Sequence, residues 1–194
     1  MSELISSYVF RGGMAREGLF FRGTFLMKFL ADELIRARRE ISCSLPEMRE
    51  RYGDGLPDAV YLEYSIEPLS IREAEIQKRE VIGYRDRNPF MIRPVSSKSP
   101  YAVACRVTEY RIPFEGDERL FDFTTQPFPF YPFGRLEEGM FVISSKEGEF
   151  FFTSDYEYNL GLLRRCVSIT SAAVECYNSD LRAMIDEMIG EIVS

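Results

Sequence analysis

The stretch LGLLRRCVSITSAAVECYNSDLRAMIDEM, residues 160–188, decides the fold of this chain. Its apolar positions recur at alternating steps of three and four residues, the spacing that places side chains along one face of an α-helix. No glycine or proline interrupts the pattern after Gly161. We therefore predict a long C-terminal helix over 159–194, with Asp155 or Ser154 as its cap. The positions that form the face are Leu160, Leu163, Val167, Thr170, Val174, Tyr177, Leu181, Met184 and Met188.

A second periodic segment, residues 24–41, predicts an N-terminal helix. Its apolar positions also lie on one helical face, and Thr24 has the side chain of a helix cap. Pro46 and the run YGDGLPD at 52–58 favour turns after this helix. The apolar positions are Leu26, Leu30, Leu34, Ala37 and Ile41.

The chain between the two helices is rich in segments typical of β-strands. The segment 73–84 fits a helix and a strand equally. Alternating apolar positions with branched and aromatic residues predict strands near 60–66, 101–112, 119–126 and 140–153. We therefore predict an α+β fold, in which an antiparallel sheet of about four to six strands is covered by the two helices. Its expected parts are a core domain over 1–158 and the long helix over 159–194.

The absence of one residue type excludes many catalytic sites. The 194 residues contain no histidine, and imidazole is the usual general base near neutral pH and the commonest metal ligand. The sequence also has no glycine-rich phosphate loop and no nucleophile elbow. We therefore predict a protein with no catalytic residues, no metal site and no cofactor.

Charge and cysteine usage bear on partners and location. The formal net charge is −7, so we do not expect nucleic acid to bind through a global positive field. No basic leader occurs at the N-terminus, so we expect no secretory signal. No apolar run in the sequence approaches about 18 residues, so we expect no membrane span. We expect the cysteines to be reduced and structural, as in a cytoplasmic protein. They are Cys43, Cys105, Cys166 and Cys176.

The C-terminal half of the long helix is the first candidate interaction surface. A helix of that length spans about 45–50 Å, more than a small domain, so part of it is expected to project and to pair with a second copy. The residues predicted to form this homodimer contact are Val174, Tyr177, Leu181, Met184 and Met188. The alternative is that the same residues pack in the chain's own core, because Ile185, Ile189 and Ile192 widen the apolar stripe.

The segment TTQPFPFYPFG, residues 124–134, is the second candidate interaction surface. Its prolines cannot donate to a strand ladder, so it cannot be a central strand. A stiff aromatic loop loses little entropy on binding and suits a protein partner. The residues predicted to bind are Phe128, Phe130, Tyr131 and Phe133. The alternative is a loop that folds over one end of the core.

Two further functions stay open. The first is a small-molecule binding domain with a pocket lined by Phe and Tyr between the sheet and the helices. The second is a carboxylate-based metal-dependent hydrolase or nuclease, because Pro57-Asp58, Glu73, Glu75 and Lys78 are similar to the PD-(D/E)xK pattern. The spacing departs from that pattern, since no acidic residue lies two positions before Lys78.

Three segments carry a resemblance to small bacterial proteins of anti-phage and other defence operons. They are RIPFEGDERLF at 111–121, the aromatic and proline-rich loop, and YNSDL at 177–181. The resemblance covers about the last 90 residues of the chain and includes no catalytic motif. It implies a part in a bacterial defence-type system. From the long helical face, the stiff aromatic loop and the absence of a catalytic motif, we interpret the chain as a non-catalytic protein-interaction or adaptor module with a protein partner.

Overall fold

The computed structural model describes residues 16–86, 102–124, 131–145 and 155–193. Its elements confirm the predicted α+β class. Short 3₁₀ turns lie at Gly53–Gly55, Glu73–Glu75 and Glu118–Asp122. The helices are α1 (Leu26–Tyr52), α2 (Leu56–Tyr64) and α3 (Tyr156–Val193). The strands are β1 (Arg16–Leu19), β2 (Ser70–Ile71), β3 (Gln77–Asp86), β4 (Ala102–Glu115), β5 (Phe133–Glu137) and β6 (Met140–Ser145).

The chain forms two compact units, each assembled from three separate stretches. The helix α3 contributes to both units, because the division falls after Arg165. The division into 1–158 and 159–194 stays a prediction. The sheet unit comprises Met1–Phe21, Ile71–Glu115 and Phe128–Arg165. The helical unit comprises Arg22–Ser70, Gly116–Pro127 and Cys166–Ser194.

The sheet unit is built on antiparallel strands in the order β1-β5-β6-β4, and β3 pairs with the other edge of β4. The strand β4 confirms the prediction near 101–112. The strand β6 confirms the first part of the prediction near 140–153, and residues 146–153 lie outside the described residues. One face of the sheet forms the core of this unit. Its fully buried side chains are Ile112, Leu136, Phe141 and Ile143.

The strand β5 replaces the end of the predicted aromatic loop. A tight turn joins β5 to β6. In this turn Glu138 and Gly139 both have positive φ, at 49° and 75°, which is the geometry of the two-residue turns between antiparallel strands. The turn aligns Glu137 with Met140. An Ala Cβ at Gly134 would lie 2.5 Å from a ring carbon of Phe141, so the close contact between β5 and β6 requires glycine. The prediction missed β5 because prolines and aromatics obscured the alternation.

The helix α1 extends well beyond the predicted end at residue 41. Pro46 lies inside it on an exposed position and does not end it. The hydroxyl of Ser44 donates to the carbonyl of Glu40 (2.8 Å) within the same stretch.

The predicted cap at Thr24 is wrong, since Phe25 occupies the cap position without a side-chain bond. A backbone bond from Leu26 to the carbonyl of Thr124 (2.8 Å) satisfies the helix start instead.

Two predicted strands are wrong over the residues that the structure describes, because both segments are mainly helical there. The first, near 60–66, is occupied by α2, which has Pro57 at its first turn together with Asp58. Both residues favour a helix start, and these signals outweigh the branched and aromatic residues that follow. The second, near 119–126, forms the 3₁₀ turn Glu118–Asp122. Leu120 and Phe121 are adjacent and both fully buried, which an alternating strand does not allow.

The helix α3 confirms the periodic pattern from which the fold was predicted. All nine positions of the predicted face are buried, from Leu160 to Met188. Its start is capped by Asp155, whose side chain accepts a bond from the backbone N–H of Tyr158 (2.9 Å), as one of the two predicted caps. Within the described ranges, no helix is both long and apolar enough to cross a membrane.

Candidate functional site

The residues predicted for self-association lie in the interior of the single chain. Their exposed fractions do not exceed 9%. Their burial agrees with the alternative that the stripe packs in the chain's own core. Self-association through these side chains stays a prediction, and it would require this part of α3 to separate from its own unit. They are Val174, Tyr177, Leu181, Met184 and Met188.

The segment YNSDL on α3 forms hydrogen bonds with the backbone at residues 64–66, where α2 ends and an extended stretch begins. The hydroxyl of Tyr177 donates to the carbonyl of Tyr64 (3.0 Å). The amide of Asn178 accepts from the N–H of Ile66 (3.1 Å) and donates to its carbonyl (2.8 Å). Burial raises the pKa of Tyr177, so this hydroxyl stays a donor. Tyr177 and Asn178 therefore stabilise the fold of the helical unit.

An open depression of about 610 Å³ lies between α2 and α3 within the helical unit. The guanidinium of Arg182 stacks over the ring of Tyr61, 4.9 Å from its centroid, and donates to Asp58 (2.8 Å). Tyr61 is the one aromatic residue in the lining, and polar and small residues make up the rest. This depression therefore lacks the Phe and Tyr lining predicted for a small-molecule pocket.

The predicted aromatic contact lies only partly within the described residues. Phe128 and Phe130 fall outside them. Tyr131 is half-buried, and Phe133 begins β5 and is half-buried as well. The backbone N–H of Phe133 donates to the side chain of Asn159 (2.8 Å), which fixes the start of β5 on the first turns of α3.

The carboxylates proposed for a metal site are each paired with an arginine. Arg164 donates to Glu73 (2.7 Å), and this bond lowers the pKa of the Glu73 carboxyl. Glu75 lies 3.6 Å from Arg72, and Asp58 pairs with Arg182 as described above. No group of three potential metal ligands occurs among the residues that the structure describes.

A half-buried network of charges lies on the sheet face opposite Phe141. Arg135 on β5 bonds to Glu109 on β4 (3.0 Å) and to Glu137 (3.0 Å). Arg111 bonds to Glu137 as well (3.3 Å). Burial lowers the pKa of Arg135, but the bonds and charges of Glu109 and Glu137 outweigh it and raise this pKa. Because two arginines face two glutamates, the network is neutral and offers no unpaired charge to a ligand.

The strand β3 lies at an edge of the sheet and exposes several of its side chains. On one side it pairs with β4 along its whole length, from Gln77 opposite Arg111 to Asp86 opposite Ala102. On its outer side no described strand pairs with it. The exposed residues are Gln77, Lys78, Arg79, Glu80 and Ile82. They alternate between the two faces of the sheet, so both faces are open to solvent along this edge.

Ile82 and Lys78 illustrate the surroundings of the side chains along this edge. Ile82 is 61% exposed although it is a large apolar side chain in the middle of a strand. The ammonium of Lys78 lies 5.8 Å from the ring centroid of Tyr110, and Tyr110 in turn stacks on Tyr156 (3.7 Å between centroids). By contrast, consecutive residues 141–143 of β6 are all buried. We name residues 76–82 the β3 edge.

The sequence pattern of the β3 edge is a weak signal for an interaction site. The segment 73–84 fitted a helix and a strand equally, and an edge strand has no apolar face pattern of its own.

Of the four cysteines, Cys166 is buried, Cys105 is half-buried, and Cys43 and Cys176 are exposed. All four are free. No protein-family model, curated protein or solved structure matches this chain.

Proposed function

We propose that this chain is a non-catalytic protein-interaction module that binds its partner by adding a strand to the β3 edge. The observation that carries the proposal is the exposure of residues 77–80 and 82 of this strand on both faces, with its outer side unpaired among the described residues. Unpaired backbone groups on a sheet edge bind extended segments of other proteins through main-chain hydrogen bonds. Side chains on the two faces then select the partner.

The composition of the β3 edge fits controlled binding. Natural sheets protect their edges with charged residues, because an apolar edge pairs indiscriminately. Lys78, Arg79 and Glu80 supply such charges, and no ion pair involves Arg79 or Glu80 within the described ranges. The exposed Ile82 supplies the apolar contact that a bound strand covers. An edge of this kind binds a complementary strand and rejects others.

We further propose that the protein acts in the cytoplasm, as an adaptor in a bacterial defence-type system. The free and exposed thiols of Cys43 and Cys176 support a reducing compartment. The resemblance described for the segments from Arg111 onwards supports a role in a bacterial defence-type system. It directs the search for a partner to proteins made from neighbouring genes.

Site-specific photo-crosslinking in cells tests the proposed surface. A photoreactive phenylalanine is placed at Ile82 or, as the matched control, at Leu62, which is 76% exposed on α2. We expect discrete protein adducts from position 82 and none from position 62. No discrete adduct from position 82, or the same adducts from both positions, would contradict the proposal.

A further inference from the structure

We infer that the strand that pairs with the β3 edge belongs to a second copy of this chain, in an antiparallel pair centred on Arg79. This inference rests on the proposed function, because it names the occupant of the same edge. Two copies related by a two-fold axis perpendicular to the sheet bring residues of the same face opposite each other. This symmetry places one residue opposite itself on the axis, and the side chains of the β3 edge decide which residue that is.

Charge complementarity selects this register. With Arg79 on the axis, Lys78 lies opposite Glu80 of the other copy, and the pair occurs twice. Opposite charges that face each other across strands attract, and like charges repel. A register centred on Glu80 would place Glu80 opposite itself and Lys78 opposite Ile82. The Arg79 register avoids the contact between two glutamates.

Apolar contacts support the same register. Ile76, which is half-buried directly before β3, lies opposite Ile82 of the other copy, again twice. The pairing covers the side chain of Ile82, which is 61% exposed in the single chain. One unfavourable contact opposes these four, since Arg79 meets its own copy on the axis. Its long side chain is exposed and can extend away from the sheet into solvent.

The contact involves seven residues from each copy, which is less than a standard interface. We therefore expect a weak dimer whose population rises with protein concentration. Both sheets would become one continuous sheet across the two-fold axis, and the outer backbone groups of β3 would find partners.

Charge reversal tests the register by sedimentation equilibrium over a range of concentrations. We expect Lys78→Glu and Glu80→Lys each to raise the dissociation constant at least about tenfold, since two attractive pairs become two repulsive pairs. The double variant restores opposite charges and is expected to dimerise like the wild type. The control Arg39→Glu, on an exposed position of α1, should leave the dissociation constant unchanged.

A disulfide across the axis provides a second, independent measurement. In a background with Cys43→Ser and Cys176→Ser, oxidised Arg79→Cys should form a covalent dimer, because directly opposite residues lie within the Cα separation of a disulfide. The control Gln77→Cys should not, because its two copies would lie about 13 Å apart along the strands. Equal cross-linking of both variants would overturn the register.

The outcomes separate this inference from the proposed function. A wild-type protein that stays monomeric at every concentration, or a double charge variant that stays monomeric while the wild type dimerises, overturns the second copy as the partner. If position 82 still forms adducts with a different protein in that case, the proposed function stands alone. If position 82 forms no adduct and the wild type is monomeric, both fail.

Discussion

Asn178 takes the place of a neighbouring strand for one residue of an extended segment. Its side-chain amide bonds to both backbone groups of Ile66, as the backbone of a paired residue in a sheet would. An unpaired buried backbone group costs free energy comparable to a lost hydrogen bond. The contact joins residues 112 positions apart, so no spacing in the sequence predicts it, although the segment YNSDL was recognisable.

Asp117 is the residue for which the structure predicts a pH dependence of stability. Its side chain accepts a bond from the backbone of Arg119 (2.9 Å) and bonds to the guanidinium of the same residue. Burial raises the pKa of Asp117, but these bonds and the charge of Arg119 outweigh it, so that the pKa lies below its ordinary value of 3.8. The ionised carboxylate therefore stabilises the folded state.

We expect Asp117→Asn to lower the free energy of unfolding by about 1 kcal/mol at neutral pH. Because the folded-state pKa is depressed, the stabilisation is fully present above pH 3.8 and is lost as the pH falls through the folded-state pKa. Urea denaturation from pH 7 to pH 2.5 checks this, with the exposed Glu118→Gln as control. A difference between wild type and Asp117→Asn that does not shrink in acid would contradict the prediction.

At the scale of elements, local patterns predicted α3 and β4 well and β5 poorly. The 3- and 4-residue steps of α3 extend over its whole buried face, so the helix was evident from the sequence alone. The strand β5 depends on a Glu138-Gly139 turn without the usual Asn-Gly or Asp-Gly signature. The β3 edge was harder still, because exposure of a strand depends on which strands pair elsewhere in the chain.

Two glycines in regular elements predict opposite effects of the same substitution. An Ala Cβ at Gly134 would meet Phe141 ring carbons at 2.5 and 2.6 Å, whereas Gly161 on α3 has open space around it. We expect Gly134→Ala to destabilise the protein by about 2–3 kcal/mol, through displacement of a buried ring. Gly161→Ala should stabilise it by about 0.5–1 kcal/mol, because alanine favours a helix. Thermal denaturation of both variants measures the signs, and equal signs would contradict this account.

At the scale of the whole molecule, each compact unit is assembled from distant parts of the chain. The first turns of α3 supply Leu160 and Leu163 to the sheet unit, and its later turns supply Leu181 and Ile185 to the helical unit. All four side chains are almost fully buried. Removing α3 therefore takes core residues from both units.

This interleaving predicts that residues 1–158 do not fold alone. A chain truncated before residue 159 lacks the buried face of α3, and each large apolar side chain lost from a core costs about 2–5 kcal/mol. We expect poor amide dispersion in its NMR spectrum and no cooperative thermal transition. A well-dispersed spectrum with a sharp transition would show that 1–158 is an independent domain.

The pairing of β1 with β5 has a consequence for synthesis on the ribosome. Arg16 pairs with Leu136, so β1 leaves the ribosome long before its neighbour exists. At common elongation rates the delay is on the order of ten seconds, far longer than a hairpin takes to close. During that time the nascent chain carries an unsatisfied strand and the apolar face of α1. Chaperones that bind such segments would therefore contact this protein while it is still being synthesised.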